Sequence, residues 1–108
     1  MAVFDDKNFD SYIKTGVSVV EFYSLWDSAS RAFEDSFRKL AEEFNGRAKF
    51  IVSEINANPL LAHKQGISRV PTILIYINGK QVYKTTDTTK RLLREKIEYF
   101  LRKKEDII

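Results

Sequence analysis

The sequence predicts an α/β protein whose mixed sheet carries helices on both faces. Three observations predict it. Apolar residues change spacing along the chain, from runs rich in β-branched and aromatic residues to helical spacing and back. The order that results contains strand–helix–strand units, which pair their strands in parallel through right-handed crossovers. Asn78-Gly79, the strongest hairpin signal in the chain, then adds an antiparallel edge.

The elements follow in order. Residues 5–15 place Phe9, Tyr12 and Ile13 on one face. With Asp5 and Asp6 at their start they read as a short helix that Gly16 ends. Residues 18–25 (SVVEFYSL) read as a buried strand. From Arg31 the period becomes helical, with Phe33, Phe37, Leu40, Ala41 and Phe44 recurring between charges until Asn45-Gly46. Residues 49–55 (KFIVSEI) are a second strand. Asn58 as N-cap and Pro59 at the first position open a short helix that Gly66 ends. Residues 72–77 (TILIYI) and 81–86 (QVYKTT) flank the Asn-Gly turn as third and fourth strands. A last helix over 89–104 faces Leu93, Ile97, Phe100 and Leu101 inward.

Composition limits the function classes. At 108 residues, with 44% hydrophobic and 31% charged residues, the chain fits a single soluble domain over 1–108. A chain of this length buries roughly two-thirds of its unfolded surface, so it folds without staples. It has none, because it has no cysteine. That removes disulfides, thiol catalysis, thiolate metal sites and iron–sulfur ligation together. No apolar run approaches a membrane span, and the first residues lack the pattern of a signal peptide, which favours a cytoplasmic location. The formal charge of +3 does not by itself imply a nucleic-acid partner. His63, the only histidine, has no second ligand at metal spacing, so neither a metal nor a cofactor is expected.

Three stretches carry a resemblance: VVEFYSLW (residues 19–26), VPT (70–72) and NGK (78–80). Together with the element order they resemble the thioredoxin family over essentially the whole chain. The resemblance implies a three-layer α/β/α fold, with a mixed central sheet of four to five strands and about four helices. In that family a strand of the type VEFYAPW or VDFWAEW runs into Cys-x-x-Cys at a helix start, and the VEFY form is typical of protein disulfide isomerase domains. Here the two cysteine positions fall on Asp27 and Ser30, with Ser28 and Ala29 between them.

Family redox chemistry needs a thiolate and a resolving thiol. Asp27 and Ser30 supply neither, so no catalytic residue is expected. Asp27 has two readings: a helix N-cap, shared as a role with Ser28, or a fixed anion standing where the thiolate would stand. Glu21 takes the place of the family's buried acidic residue beneath the cysteines. It reads either as a relic satisfied by a lysine or a water, or as a structural ion pair.

The resemblance also implies a cis Val70–Pro71 bond, and a groove in which the residue before the proline pairs with an extended peptide. Pro71 could equally serve only to shape the start of its strand. The groove would gather Trp26, Ala29, Val70 and Pro71, with a polar rim of Asp27, Ser28 and Thr88. The family's usual glycine in the turn before the last helix is absent from TTDTTK, which narrows that groove.

The last helix carries Lys90, Arg91, Arg94, Lys96, Arg102, Lys103 and Lys104 against Glu95 and Glu98. It is a solvated face, or else a surface for an acidic partner, RNA or anionic lipid. The reading that follows is a redox-inactive thioredoxin-like module that binds a protein or peptide, as a chaperone-like or accessory subunit. The alternative is a disulfide oxidoreductase of the thioredoxin or disulfide-isomerase type whose cysteines were replaced by divergence or engineering.

Overall fold

The computed structural model describes residues 2–3 and 7–107. The chain forms β1 (Ala2–Val3), α1 (Phe9–Ile13), β2 (Val17–Tyr23), α2 (Ser28–Glu43), β3 (Lys49–Glu54), α3 (Pro59–Lys64), β4 (Thr72–Ile77), β5 (Lys80–Thr85) and α4 (Lys90–Ile107). The five strands make one sheet in the order β1-β3-β2-β4-β5. β3 runs parallel to both β1 and β2, whereas β4 is antiparallel to β2 and β5. The sheet is therefore mixed, as the strand–helix–strand units and the hairpin require.

Strand alternation sends successive side chains to opposite faces, and a core forms on each. On one face Val17, Val19, Ile73 and Ile75 pack with Phe33, Phe37 and Leu40 of α2 and Leu93 and Ile97 of α4. On the other, Val20, Phe22, Ile51 and Leu74 pack with Phe9 and Ile13 of α1 and Leu61 and Ala62 of α3. At the hairpin Asn78 and Gly79 both take positive φ, +50° and +85°, the geometry that selects Asn-Gly. Asn78 also bonds the turn between α1 and β2: its Oδ1 accepts from the Gly16 N–H at 2.8 Å, and its N–H donates to the Gly16 carbonyl at 2.9 Å.

Several boundaries differ from the sequence reading. The edge strand β1 has only two residues, too few for a period to show. Asp5 and Asp6, proposed as the start of the first helix, lie outside the described residues. α2 begins at Ser28 rather than Arg31, because its first turn rests on a cap rather than on apolar residues. Asn58 occupies the N-cap position of α3, but its side chain makes no capping bond.

Candidate functional site

Strand register gathers the segments singled out in the sequence. Phe22 pairs with Thr72, and Ile73 pairs with Thr85. The ends of β2 and β5 and the start of β4 thus lie together. The turn at 24–27, the Val70–Pro71 bond and the turn at 86–89 all leave the same end of the sheet.

The first of these turns is tightly braced. The Ser24 N–H donates to Ser30 Oγ (3.2 Å), and Ser24 Oγ accepts from the Trp26 N–H (3.2 Å) and from Asn56 Nδ2 (3.0 Å). The Asp27 N–H donates to the Ser24 carbonyl (3.2 Å). Asp27 Oδ2 accepts from the Ser30 N–H at 2.8 Å, capping α2 and satisfying one of the donors that every helix start leaves free. Arg31 Nη1 donates to the Leu25 carbonyl (3.2 Å). These bonds hold the backbone while turning Leu25 and Trp26 outward, 58% and 83% exposed.

Two buried carboxylates stand beneath this turn. Glu54, at the end of β3, is 8% exposed. Its Oε2 accepts from the Leu25 N–H (3.0 Å) and Asn56 Nδ2 (3.1 Å), and its Oε1 from the N–H groups of Asn56 (2.7 Å) and Ala57 (2.8 Å). Burial pushes its pKa up, but these bonds to the charged form outweigh burial and hold it below the usual carboxylate value.

Glu21, on β2, is 3% exposed. Among the described residues it has neither a hydrogen-bond nor an ion-pair partner, so the expected lysine or structural ion pair is absent there. Burial, and then the like charge of Glu34, push its pKa up to about 8. Glu21 lines a cavity of about 120 Å³ between the sheet and α2, together with Tyr23, Leu25, Ser30, Arg31, Glu34, Phe37 and Val52. The Tyr23 phenol is likewise pushed up, by burial and then by the charges of Glu54, Glu21 and Glu34.

Across the sheet end, the Val70–Pro71 bond is cis. Thr72 Oγ1 donates to the Arg69 carbonyl and braces this stretch. Pro71 is buried, and Val70 is half-buried. In the third turn the Asp87 side chain accepts from the Thr89 N–H at 2.9 Å, and Thr88 is half-buried.

With the arrangement established, comparison with known proteins is decisive. The thioredoxin family model matches residues 1–102. This chain belongs to the thioredoxin family. It is 30% identical over 97 residues to a thioredoxin of Staphylococcus saprophyticus, covering 89% of this chain and 93% of that protein. It is 29% identical over 79 residues to a Staphylococcus haemolyticus thioredoxin, covering 73% and 76%. An X-ray structure of Fasciola hepatica thioredoxin superposes with a TM-score of 0.82 at 23% identity, covering 92% of this chain and 98% of that one. A chain from a study of thiol resolving in yeast mitochondrial 1-Cys peroxiredoxin superposes at 0.84 with 19% identity, covering 91% and 93%.

This thioredoxin-family chain has no cysteine. At the start of α2 stand a capping carboxylate, Asp27, and a buried hydroxyl, Ser30, whose oxygen already accepts a backbone bond. Among the residues named from sequence, Trp26, Ser28 and Ala29 are exposed, while Asp27, Val70 and Thr88 are half-buried.

Sequence reading missed the residues that organise the turn from below: Ser24, Glu54 and Asn56 as braces, and Tyr23, Arg31 and Glu34 around the cavity. Two signals were available. Glu54 ends its strand directly opposite Tyr23. Glu34 follows Ser30 by one helical turn, on the face that continues to Phe37.

On α4, Arg94 pairs with Glu43, Arg91 with Glu95, and Glu98 with Arg47. Part of the basic face is therefore engaged within the molecule. Among the described residues no helix is long and apolar enough to cross a membrane, and no group of acidic or histidine side chains could hold a metal.

Proposed function

We propose that this chain is a redox-inactive member of the thioredoxin family that binds an extended segment of a partner protein. The segment lies across the sheet end between Trp26 and the cis Val70–Pro71 bond, with Asp27, Ser28, Ala29 and Thr88 around it. One observation carries the reading: the turn is pinned by at least six hydrogen bonds and still presents Trp26 at 83% exposure. A large aromatic ring held out on a rigid support loses little entropy on binding, which is how binding anchors are built. The absence of thiols supports a binding role over a catalytic one.

The test is selection of extended peptides against the protein, followed by fluorescence anisotropy with labelled winners. Trp26→Ala should weaken binding about tenfold or more, the loss expected of an aromatic anchor. Equal binding by Trp26→Ala ends the proposal. Insulin reduction with dithiothreitol should run no faster than the buffer control, and measurable turnover would contradict a redox-inactive role.

The names of the relatives favour one alternative, an oxidoreductase frame whose cysteines were replaced. The double variant Asp27→Cys/Ser30→Cys tests it. Insulin reduction restored to well above background would show that only the reagents are missing. No restoration would show that the frame has moved away from catalysis.

A further inference from the structure

We propose that the cavity beneath the Trp26 turn is a site for a primary ammonium group, delivered by a lysine side chain of the partner segment. The inference deepens the binding reading and rests on it for the source of the lysine. Glu21 is a carboxylate buried to 3% exposure, without a partner among the described residues, on the wall of an open space. A buried charge in that condition is costly until a cation meets it. The charge acting on it, that of Glu34, has the same sign, and Glu34 lines the same cavity. Two carboxylates and Tyr23 thus line one space that no lysine among the described residues lines. Arg31 also lines the space, but its guanidinium donates to the Leu25 carbonyl.

Size and lining select an ammonium over a guanidinium. About 120 Å³ holds roughly four waters, or the end of a lysine chain. An ammonium is a compact charge with three donors that can serve two separate carboxylates, whereas a planar guanidinium fork seeks one carboxylate edge-on. Leu25, Phe37 and Val52 supply apolar wall for the methylene stem. Leu25 also joins the cavity to the binding surface, because it is exposed beside Trp26. The charged and titratable groups facing this space are Glu21 and Tyr23 on β2 and Glu34 and Arg31 on α2, with Glu54 on β3 acting on Tyr23. Glu21 holds a proton until about pH 8, so below that pH the entering cation expels one proton to solvent.

The probes are n-butylammonium and a neutral alcohol one carbon longer, 1-pentanol, titrated into the full chain and followed by the backbone amide signals of Leu25, Ser30 and Val52. A selected peptide carrying one lysine is compared with its norleucine analogue. Butylammonium should bind at least tenfold better at pH 9 than at pH 6, and pentanol should bind weakly at both. Glu21→Gln should remove the pH dependence and weaken butylammonium tenfold or more. Glu34→Gln, an exposed position that does not threaten folding, should weaken it a few-fold. The lysine peptide should outbind norleucine about tenfold. Equal affinity of butylammonium and pentanol, or unchanged affinity in Glu21→Gln, overturns the ammonium site. Butylammonium binding without a lysine preference overturns the partner lysine as its source. Either failure with Trp26-dependent peptide binding intact leaves the binding reading standing. Trp26-independent peptide binding removes that reading instead.

Discussion

Glu21 and Glu54 stand on neighbouring strands of one sheet, both buried, beneath the same turn, and they behave as opposites. Glu54 accepts four hydrogen bonds and stays charged below the usual carboxylate range. Glu21 accepts none among the described residues and is pushed up to about 8. Burial acts on both in the same direction, so depth does not set the difference. The backbone around each carboxylate sets it. The chain turns over Glu54 at both ends, from 24–26 and from 56–57, and aims its N–H groups at the oxygens. Glu21 sits in mid-strand, where the neighbouring N–H groups are committed to the ladder with β3 and β4. A carboxylate at a strand end can be structural, whereas one in the middle of a sheet is left for something else.

The largest test of this contrast is the pH dependence of stability. Folding raises the pKa of Glu21, so the folded chain holds that proton more tightly than the unfolded chain does. The stability it permits is full below about 4.5 and falls as pH rises toward about 8, above which the whole burial cost is present. At roughly 1.4 kcal/mol per pH unit, the loss across that window is about 5 kcal/mol. Urea denaturation of the wild type from pH 5 to 9 should show this decline, and Glu21→Gln should flatten it. A wild-type profile with no decline there would mean that Glu21 is ionised and partnered, and the contrast would fail.

Glu54 should show the reverse sign. Its depressed pKa contributes stability that is present above the ordinary value of 4.5 and lost as pH falls through the folded value. Glu54→Ala leaves the buried N–H groups of Leu25, Asn56 and Ala57 without acceptors, and should cost about 3 kcal/mol near neutral pH. It should also loosen the Trp26 turn, seen as faster hydrogen exchange at Leu25 and Trp26. A cost below 1 kcal/mol would show that water replaces the carboxylate freely, and that the turn is braced mainly by Ser24 and Asn56.

How far the sequence revealed this depended on the kind of signal. Apolar runs and the 3.6-residue helical period made the central strands and α2 legible, and Asn-Gly fixed the hairpin, because each is local. VEFYSLW and VPT carried the family and the cis bond. The brace beneath the turn was not legible, since Glu54 and Asn56 lie 29 and 32 residues from the groups they bond and are brought there by strand register. Glu21 was identifiable as a buried acid, but its lack of a partner was not. That depends on which side chains face it from α2, and the charge that acts on it from there is another glutamate.

Asp27 provides the smallest test, because its single capping bond places it between the other two carboxylates. Removing the acceptor in Asp27→Ala should cost about 1 kcal/mol, the usual worth of an N-cap. Asn is as good a cap as Asp, so Asp27→Asn should return stability to within a few tenths of a kcal/mol while deleting the charge. The pair of variants therefore separates the two roles that the sequence left open at this position. If peptide affinity follows stability, falling in Asp27→Ala and recovering in Asp27→Asn, Asp27 matters to the partner only by shaping the start of α2. If affinity falls in both, the fixed negative charge at the helix start is itself read by the partner. The same variants should leave the pH profile governed by Glu21 unchanged, because the charge that acts on Glu21 is that of Glu34 and not that of Asp27.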